Sequence, residues 1–170
     1  KYNTATNAFI DSVRMPAAVQ PSAFALTNDG AFGYVCNFTD GPGSVIKFDM
    51  ATLDSVGSFN AGSMTHHLKS NSDGKLVVAV SRKTDNVFIY DAIGDSMITV
   101  LHMDPSQGPL AETNDYGPFG VEIDHNDSIA YIACIESDEV RMLDLTTMEI
   151  VDSIDIPVIG DAPIVGPTLL

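Results

Sequence analysis

Basic residues are scarce in this chain. Lys and Arg together number 8, against 23 Asp and Glu in 170 residues, which gives a formal net charge of −15 at pH 7. A surface of this sign repels phosphate backbones and anionic lipid headgroups. We therefore do not expect nucleic acid as a partner.

Long apolar runs are also missing. None approaches the roughly 20 residues needed to cross a bilayer as a helix, so we expect no membrane span. From Lys1 onward the sequence is typical of a folded domain, and it does not start with a basic segment followed by an apolar one. We expect that any targeting segment has been removed or was never present.

Cysteine is limited to Cys36 and Cys134. Two cysteines are too few for a disulfide framework, and their spacing is not that of metal ligands. Each lies in an apolar run, "GYVCN" and "AYIAC". Both are therefore predicted to be buried thiols that pack as small hydrophobic side chains.

What the chain does contain is an internal repeat. Three stretches, starting at Asn28, Ser72 and His125, each pass through a polar turn, an apolar run, a second polar turn, a short run that ends in Asp, and a final alternating run. The strand-ending residues are Asp49, Asp91 and Asp144, with Asn3 in the same place of a truncated first copy. The chain thus holds about three and a half copies of one unit.

Each unit reads as four short strands. Its runs are rich in β-branched residues, and no sustained 3.6-residue stripe is present, so the chain is predicted to be all-β. In the first full copy the strands are expected near 21–27, 32–38, 44–49 and 53–59, joined by connections short enough for an antiparallel meander. The second strand is apolar on both faces, whereas the last alternates, as in "EIVDSIDI", with Ile150, Ile154 and Ile156 expected on one face.

Sheets covered on both faces by copies of themselves are typical of a β-propeller. We predict one partial β-propeller domain over 1–170, with about three complete four-stranded antiparallel blades and partial blades at both ends. The predicted blades cover 1–16 (half a blade), 17–61, 62–103, 117–157 and 161–170 (a first strand only).

The motifs "GYVCNFTDGPGSVIKFDMAT" and "AYIACIESDEVRMLDLTT" resemble the YVTN-type repeats of seven-bladed propellers. The resemblance covers almost the whole chain. It implies a periplasmic, cell-surface or secreted protein, in a family where some members only bind while related propellers include lyases and haem or copper enzymes. It specifies architecture rather than chemistry.

The chain departs from that family in its ends, since it begins in the third strand of one blade and ends in what looks like the first strand of another. The expected partners are therefore the remaining blades of a larger propeller or a second copy of the chain. An isolated segment of this kind exposes flat blade faces or edges.

Two adjacent histidines, His66 and His67, stand where the other copies have "PSA" and "PFG". This point begins the innermost strand, beside the central channel, so the pair is a candidate for ligand or metal binding, with a structural or merely exposed pair as the alternative. Because neighbouring side chains on a strand alternate, only one imidazole is expected to face the channel. Lys69 and Glu122 fall at polar positions of innermost strands and are candidate channel residues.

The connection 103–118 is longer than its counterparts, and long insertions in repeat proteins gather on one face and often bind. Tyr116 and Phe119 are its best aromatic contacts. A neutral insertion is the alternative.

No Ser/His/Asp order, phosphate-binding glycine loop or His-Glu zinc motif is present, so no catalytic residue and no cofactor are assigned. The favoured hypothesis is a non-enzymatic propeller of the cell envelope or extracellular space that binds a protein or small ligand at one rim, or acts as a scaffold. The alternative is a segment of a metal- or haem-dependent redox or lyase propeller, with His66 or His67 near the channel.

Overall fold

Twelve β-strands make up the computed structural model, which describes residues 1–15, 20–41, 43–108, 111 and 113–157. The strands are β1 (Pro21–Leu26), β2 (Phe32–Asn37), β3 (Ser44–Asp49), β4 (Ser55–Asn60), β5 (Thr65–Ser70), β6 (Leu76–Ser81), β7 (Asn86–Asp91), β8 (Ser96–His102), β9 (Pro118–Ile123), β10 (Ile129–Cys134), β11 (Glu139–Asp144) and β12 (Glu149–Asp155). Within these residues no helix has the length and apolarity required to span a membrane.

Each run of four consecutive strands forms one antiparallel meander, in the orders β1-β2-β3-β4, β5-β6-β7-β8 and β9-β10-β11-β12. We call these sheets blades 1, 2 and 3. The predicted all-β fold and four-stranded units are confirmed. The predicted first strand of a further blade, 161–170, lies outside the described residues.

The blades pack face to face through two apolar clusters, one between blades 1 and 2 and one between blades 2 and 3. Strand β6 serves both: Val77 and Ala79 belong to the first cluster, while Val78 and Val80 belong to the second. Alternate side chains of one strand point to opposite faces, so the blade 2 sheet is dry on both sides. Contacts between blades concentrate on the inner strands, with β1 against β5 and β5 against β9.

Both cysteines lie in these clusters as free, buried thiols, as predicted. Burial raises the pKa of the Cys36 thiol and raises that of Cys134 to about 12. Neither is a reactive thiolate near neutral pH.

The strand-ending residue of each repeat closes the turn that follows it. One carboxylate oxygen of Asp49, Asp91 and Asp144 accepts two main-chain N–H groups from residues two and three positions later. The amide oxygen of Asn3 does the same with Ala5 and Thr6. Side chains that bond their own backbone in this way are a recurrent device of Asp and Asn in turns.

The first residues of the chain also reproduce a hydrogen bond by which one complete blade contacts the next. Tyr2 pairs with Phe9 in a short antiparallel bridge, and Lys1 Nζ donates to Met50 O at 3.0 Å. Lys47, two residues before Asp49 as Lys1 is two before Asn3, donates to Ala92 O at 3.4 Å. The N-terminal segment thus contacts blade 1 in the same way that the outer strands of blade 1, β3 and β4, contact blade 2.

Each outer strand carries a β-bulge at the same place. One extra residue is inserted in the pairing of β3 with β4, of β7 with β8 and of β11 with β12, at Val56, Ile98 and Val151. All three extra side chains are exposed. The bulge changes the expected alternation of β12: Ile150 lies opposite Leu143 and Ile154 opposite Val140, three residues away, so the two isoleucines do not share one face.

A buried charge joins blades 1 and 2. The side chain of Lys47 is 8% exposed, and its Nζ lies 2.7 Å from Asp95 Oδ1 and 4.4 Å from the centroid of the Phe32 ring. Burial is the largest single influence and disfavours the lysine charge, but the hydrogen bonds and charges of Asp95 and Tyr34 together outweigh it and hold the pKa of Lys47 above its ordinary value. At the equivalent place between blades 2 and 3 stand Ile89 and Met148, both packed in the second apolar cluster.

Replacing Lys47 tests how much this charge contributes. Lys47→Ala removes both the aliphatic stem and the ammonium group and is expected to lower the free energy of unfolding by about 2 kcal/mol. Lys47→Met keeps the stem and should cost about half as much. Urea denaturation followed by circular dichroism measures both, and a Lys47→Ala variant as stable as the parent would show that the pair contributes nothing.

A second stability test concerns Leu53, which has a φ of 63°. At the equivalent turn position, Asn7 and Asp95 share this left-handed conformation and are types that tolerate it, whereas Met148 of blade 3 is, like Leu53, a type that does not. Leu53→Asn is therefore expected to raise the free energy of unfolding by about 0.5–1 kcal/mol. Leu53→Ala is the control, because it lacks the short polar side chain whose local hydrogen bonds let Asn adopt this conformation. An equal gain from both variants would contradict backbone strain as the cause.

Candidate functional site

The connections that link strands at one end of the blades form what we call the upper rim. It comprises the described residues of the turns and blade connections at 38–41, 43, 61–64, 82–85, 103–108, 111, 113–117 and 135–138. The opposite ends of the strands, with the Asp-closed turns, form the lower rim. His66, Phe119 and Tyr116 lie on the upper rim or at the strand ends beside it.

Each innermost strand begins with a β-bulge, which the sequence analysis does not anticipate. In β5 the pairing passes from Thr65–Ser81 to His67–Val80, so His66 is the extra residue. In β9 it passes from Pro118–Cys134 to Gly120–Ala133, so Phe119 is the extra residue. Bulges redirect side chains at sheet edges and next to functional sites.

The bulge residues of successive blades are hydrogen-bonded to one another. Ser22 Oγ of blade 1 donates to His66 O of blade 2 at 2.8 Å. His66 Nδ1 in turn lies 2.8 Å from Phe119 O of blade 3, and the two rings stack with centroids 3.4 Å apart. Phe38 adds a third ring edge-on to His66, at 5.3 Å. Three blades therefore each contribute one ring to an aromatic cluster, Phe38–His66–Phe119.

His67 reaches the same neighbouring strand as His66. Its Nδ1 accepts a hydrogen bond from Val121 N at 3.3 Å. The bulge at His66 interrupts the strand alternation at this point. Both rings contact β9.

These bonds define the proton positions on the two rings. Because Phe119 O can only accept, His66 Nδ1 carries a proton, and the Nε2 of a neutral His66 holds a lone pair. Because Val121 N–H donates to His67 Nδ1, a neutral His67 has its proton on Nε2. Burial lowers the pKa of both histidines, so near pH 7 both are neutral.

Lys69 and Glu122 form an ion pair between β5 and β9, with Nζ 2.5 Å from Oε1 and both side chains about two-fifths exposed. Together with His67 they line an open groove of about 380 Å³ along the inner strands, whose blade 1 side is formed by Phe24 and Leu26. The structure thus brings His67, Lys69 and Glu122 together. Ala25, Thr27 and Asn71, in or directly after the same inner strands, are buried.

Tyr116 is placed apart from these residues. Its ring lies beneath the Arg141 guanidinium, 4.4 Å from ring centroid to Cζ, and packs on the apolar cluster between blades 2 and 3. An aromatic ring held by a cation and the core anchors the 103–117 connection.

A larger groove, of about 840 Å³, lies on the upper rim across blades 1 and 2. We call it the rim groove. Its lining includes the polar residues Asn60, Ser63, Arg82, Lys83, Thr84, Thr113 and Asn114. Arg82 Nη2 bonds Glu136 Oε1 of blade 3 at 2.7 Å, and Lys83 Nζ bonds Asp40 Oδ1 of blade 1 at 2.5 Å. One turn of blade 2 is thereby tied to both neighbouring blades.

Asp85 bonds the segment that forms the other side of the rim groove. Its carboxylate is fully buried and accepts four hydrogen bonds from the segment that enters blade 3. The donors are Thr113 Oγ1 (2.5 Å) and the main-chain N–H groups of Asp115 (2.6 Å), Tyr116 (3.3 Å) and Gly117 (2.7 Å). His102 Nε2 lies 3.0 Å from the same Thr113 hydroxyl.

The described residues contain no group of three or more His, Cys, Asp or Glu side chains that could hold a metal ion. Both histidine Nδ1 atoms are engaged by main chain. The arrangement provides an ordered polar groove and an aromatic cluster on one rim, which is suited to binding.

The repeat pattern alone does not predict Arg82, Lys83 and Asp85 as rim residues. A signal was present, since Arg82–Lys83 is a pair of adjacent basic residues in a chain with only 8. Asp85 and Asp138 also recur directly before the third strand of their blades. The bulges at His66 and Phe119 leave no comparable mark in the sequence.

Comparison with solved structures supports the fold. The chain is similar to hydrazine synthase of Kuenenia stuttgartiensis, with a TM-score of 0.67 and 19% identity over 86% of this chain. It is also similar to U3-55K and to the WD40 repeats of RRP9, each with a TM-score of 0.66 and 12% identity over 83% of this chain. WD40 repeats form β-propellers, and the fold is a partial β-propeller.

The match covers 39% of the hydrazine synthase chain, 41% of U3-55K and 40% of RRP9, so this chain spans about two-fifths of their length. No known protein family matches the sequence. No curated protein matches it either.

The histidine pair predicts a specific dependence of stability on pH. The folded protein holds His66 and His67 at lowered pKa values, so the unfolded chain binds protons at higher pH than the folded chain does. The free energy of unfolding should be constant above about pH 7 and fall as the pH drops below the ordinary histidine pKa of about 6.5. Arg82, Lys69 and Glu122 are the charged groups nearest the two rings.

Urea denaturation at steps between pH 5 and pH 8 measures this effect. Carboxylates titrate mostly below this range. A His66→Gln/His67→Gln variant should lose most of the slope, whereas His125→Gln, at an exposed turn, should retain it. Equal slopes in the parent and the double variant would contradict this role of the pair.

Proposed function

We propose that this chain is part of a non-enzymatic β-propeller that binds a protein or small ligand at its upper rim. The observation that carries the proposal is the rim groove, built by connections from consecutive blades and held in place by ion pairs across both blade boundaries. Loops positioned by a rigid scaffold are where binding residues concentrate.

The chemistry of the rim groove favours a polar partner. Amide, hydroxyl and charged side chains line it. Arg82 and Lys83 are each paired with an acidic side chain. A ligand that supplies hydrogen bonds can use these groups without leaving a buried charge unpaired. The aromatic cluster Phe38–His66–Phe119 adds an apolar contact near the inner side of the same rim.

We also propose that the protein acts in the cell envelope, at the cell surface or outside the cell. The support is the resemblance of "GYVCNFTDGPGSVIKFDMAT" to YVTN-type repeats. The acidic composition fits a soluble surface but does not favour one compartment. Protease treatment of intact producing cells tests the location, because an external protein is cleaved and a cytosolic one is protected.

Site-specific photo-crosslinking tests the binding proposal. A photoreactive amino acid replaces Asn114, an exposed residue of the rim groove, or Ala51, an exposed residue of the lower rim. In producing cells, we expect a defined adduct from position 114 and none from position 51. Adducts only from position 51, or from neither position, would overturn the upper-rim proposal.

A charge swap makes the test more specific. Asp40→Lys combined with Lys83→Asp preserves an ion pair between blades 1 and 2 but reverses its polarity. If the ligand uses one of these charges, the adduct at position 114 should fall by about tenfold, the equivalent of one charge-assisted hydrogen bond. An unchanged yield would exclude this ion pair from recognition.

A second candidate is a segment of a metal- or haem-dependent redox or lyase propeller. It is favoured by the similarity in fold to an enzyme, hydrazine synthase, and by the lone pair that a neutral His66 keeps on Nε2. Elemental analysis of the complete protein tests it. Stoichiometric copper, zinc or iron that is lost in His66→Ala would support the enzyme, and metal-free protein would exclude it.

A further inference from the structure

The boundary between blades 1 and 2 is closed on its outer side by two aromatic rings. Phe59 of β4 stacks on Tyr90 of β7, with ring centroids 4.2 Å apart and an angle of 13° between the ring planes. Tyr90 belongs to the apolar cluster between these blades, and Phe59 packs against it. The Tyr90 hydroxyl donates to Asp95 Oδ1 at 2.7 Å, which holds the pair at its polar end.

The boundary between blades 2 and 3 has leucines at both of these places. The pairing of β8 with β7 gives Leu101 the place that Phe59 has in the pairing of β4 with β3. Leu143 takes the place of Tyr90, because each directly precedes the aspartate that ends its strand. A leucine side chain is smaller than an aromatic ring, so the two replacements leave room at the outer side of this boundary.

An open groove of about 430 Å³ lies at this place. We call it the outer groove. Its apolar lining includes Leu101, Met148 and Ile150, which all pack against the apolar cluster between blades 2 and 3. The groove therefore continues that interface to the protein surface. Its volume is within the range of about 300–1,000 Å³ that is typical of small-molecule sites.

The long connection after β8 contributes a further wall of the outer groove through Pro105 and Gln107. His102 also lines the groove, but both of its ring nitrogens are engaged. Asp104 N donates to Nδ1 at 3.0 Å, and Nε2 lies 3.0 Å from the Thr113 hydroxyl. His102 therefore offers a ligand the edge of its ring rather than an unpaired nitrogen.

The charge at the outer groove is negative. Glu149 lines the groove and is exposed, and the other described residues of the lining include no acidic residue, lysine or arginine. The whole chain has a formal net charge of −15. A cationic group is attracted to such a site and an anionic group is repelled from it.

We propose that the outer groove binds a small molecule that carries an aromatic ring and a positively charged amine. The ring lies against Leu101 and Met148, and the amine lies near the Glu149 carboxylate. The stacked rings at the boundary of blades 1 and 2 show which kind of group fills this place in the same fold. The site is separate from the rim groove, and the inference does not depend on the function proposed above.

Methyl NMR of the 170-residue chain tests the proposal with 2-phenylethylamine as the probe. We expect saturable shifts of the methyl signals of Leu101, Met148 and Ile150. 3-Phenylpropionate, which has a carboxylate in place of the amine, should bind about tenfold more weakly, because attraction by Glu149 becomes repulsion. Butylamine, which has no ring, should give no saturable shift.

Three variants locate the binding. Leu101→Phe restores one ring to the place of Phe59 and should weaken the binding of 2-phenylethylamine by at least about tenfold. Ile98→Phe adds the same ring at an exposed position of β8 and should bind the probe as the parent does. Glu149→Gln should retain binding but lose the preference for the amine over the carboxylate. Unchanged methyl signals away from each substitution verify that the variant is folded.

The proposal would be overturned if these methyl signals show no saturable shift, or if Leu101→Phe binds the probe as tightly as the parent. Equal affinity of the parent for the amine and the carboxylate would contradict the assigned role of Glu149. An acetylated Gly-Phe-Lys-Gly amide that binds more than about tenfold tighter than 2-phenylethylamine would show that the occupant is a segment of a partner protein. None of these results bears on the rim groove, whose test is the crosslink at position 114.

Discussion

Burial of the second strand of the central blade between two neighbouring sheets is the constraint on which this structure depends. Strand β6 shows it most clearly, since Val77, Val78, Ala79 and Val80 are all fully buried although they alternate between two faces. Blade 1 covers one face and blade 3 the other. A single blade cannot provide both covers, so the repeat is stable only as a stack.

The acidic composition has a structural explanation in the turns. At each repeat of the lower rim, a carboxylate accepts main-chain N–H groups from the residues that follow it, as at Asp49, Asp91 and Asp144. Asp85 uses the same chemistry between blades. Much of the negative charge therefore closes backbone turns, and a large net charge in this chain is not by itself a sign of a cation site.

Side chains of one blade hold the upper rim to both neighbouring blades. Arg82 and Lys83 reach blades 3 and 1, and Asp85 fixes the segment entering blade 3. The lower rim also has contacts between blades, Lys47–Asp95 and Ser72–Asp127, beside the turns that its aspartates close. The bonds of the upper rim fix the shape of the rim groove, which is the physical basis for proposing that binding occurs there.

Much of the fold could be predicted because its signals are local and repeated. The strand-ending aspartates, the doubly apolar second strands and the polar turns recur at similar spacing, and the structure confirms the four-stranded units they imply. The bulges at His66 and Val56 could not be predicted, because an extra residue in a strand is defined only by its partner strand. For the same reason strand alternation alone does not predict that the rings of His66 and His67 both reach β9. The bonds of Asp85 depend on a segment about 30 residues away.

The candidate site was predictable only in part. His67, Lys69 and Glu122 lie together as the repeat alignment suggests, because equivalent positions of adjacent inner strands are neighbours. Tyr116 was chosen for its place in a long connection, yet its ring contacts Arg141 and the core. Composition and spacing indicate where a residue lies along a repeat, whereas its hydrogen-bond partners come from the adjacent blade.

The most direct measurement of the central claim compares Val77→Ala with Val78→Ala in urea denaturation. These neighbours point to opposite faces of β6, one toward blade 1 and the other toward blade 3. The account predicts that each variant lowers the free energy of unfolding by about 1–3 kcal/mol, because both faces are dry. A sheet with one solvated face would show a loss for only one of them, and a near-zero effect of either substitution would contradict the stacked-blade account.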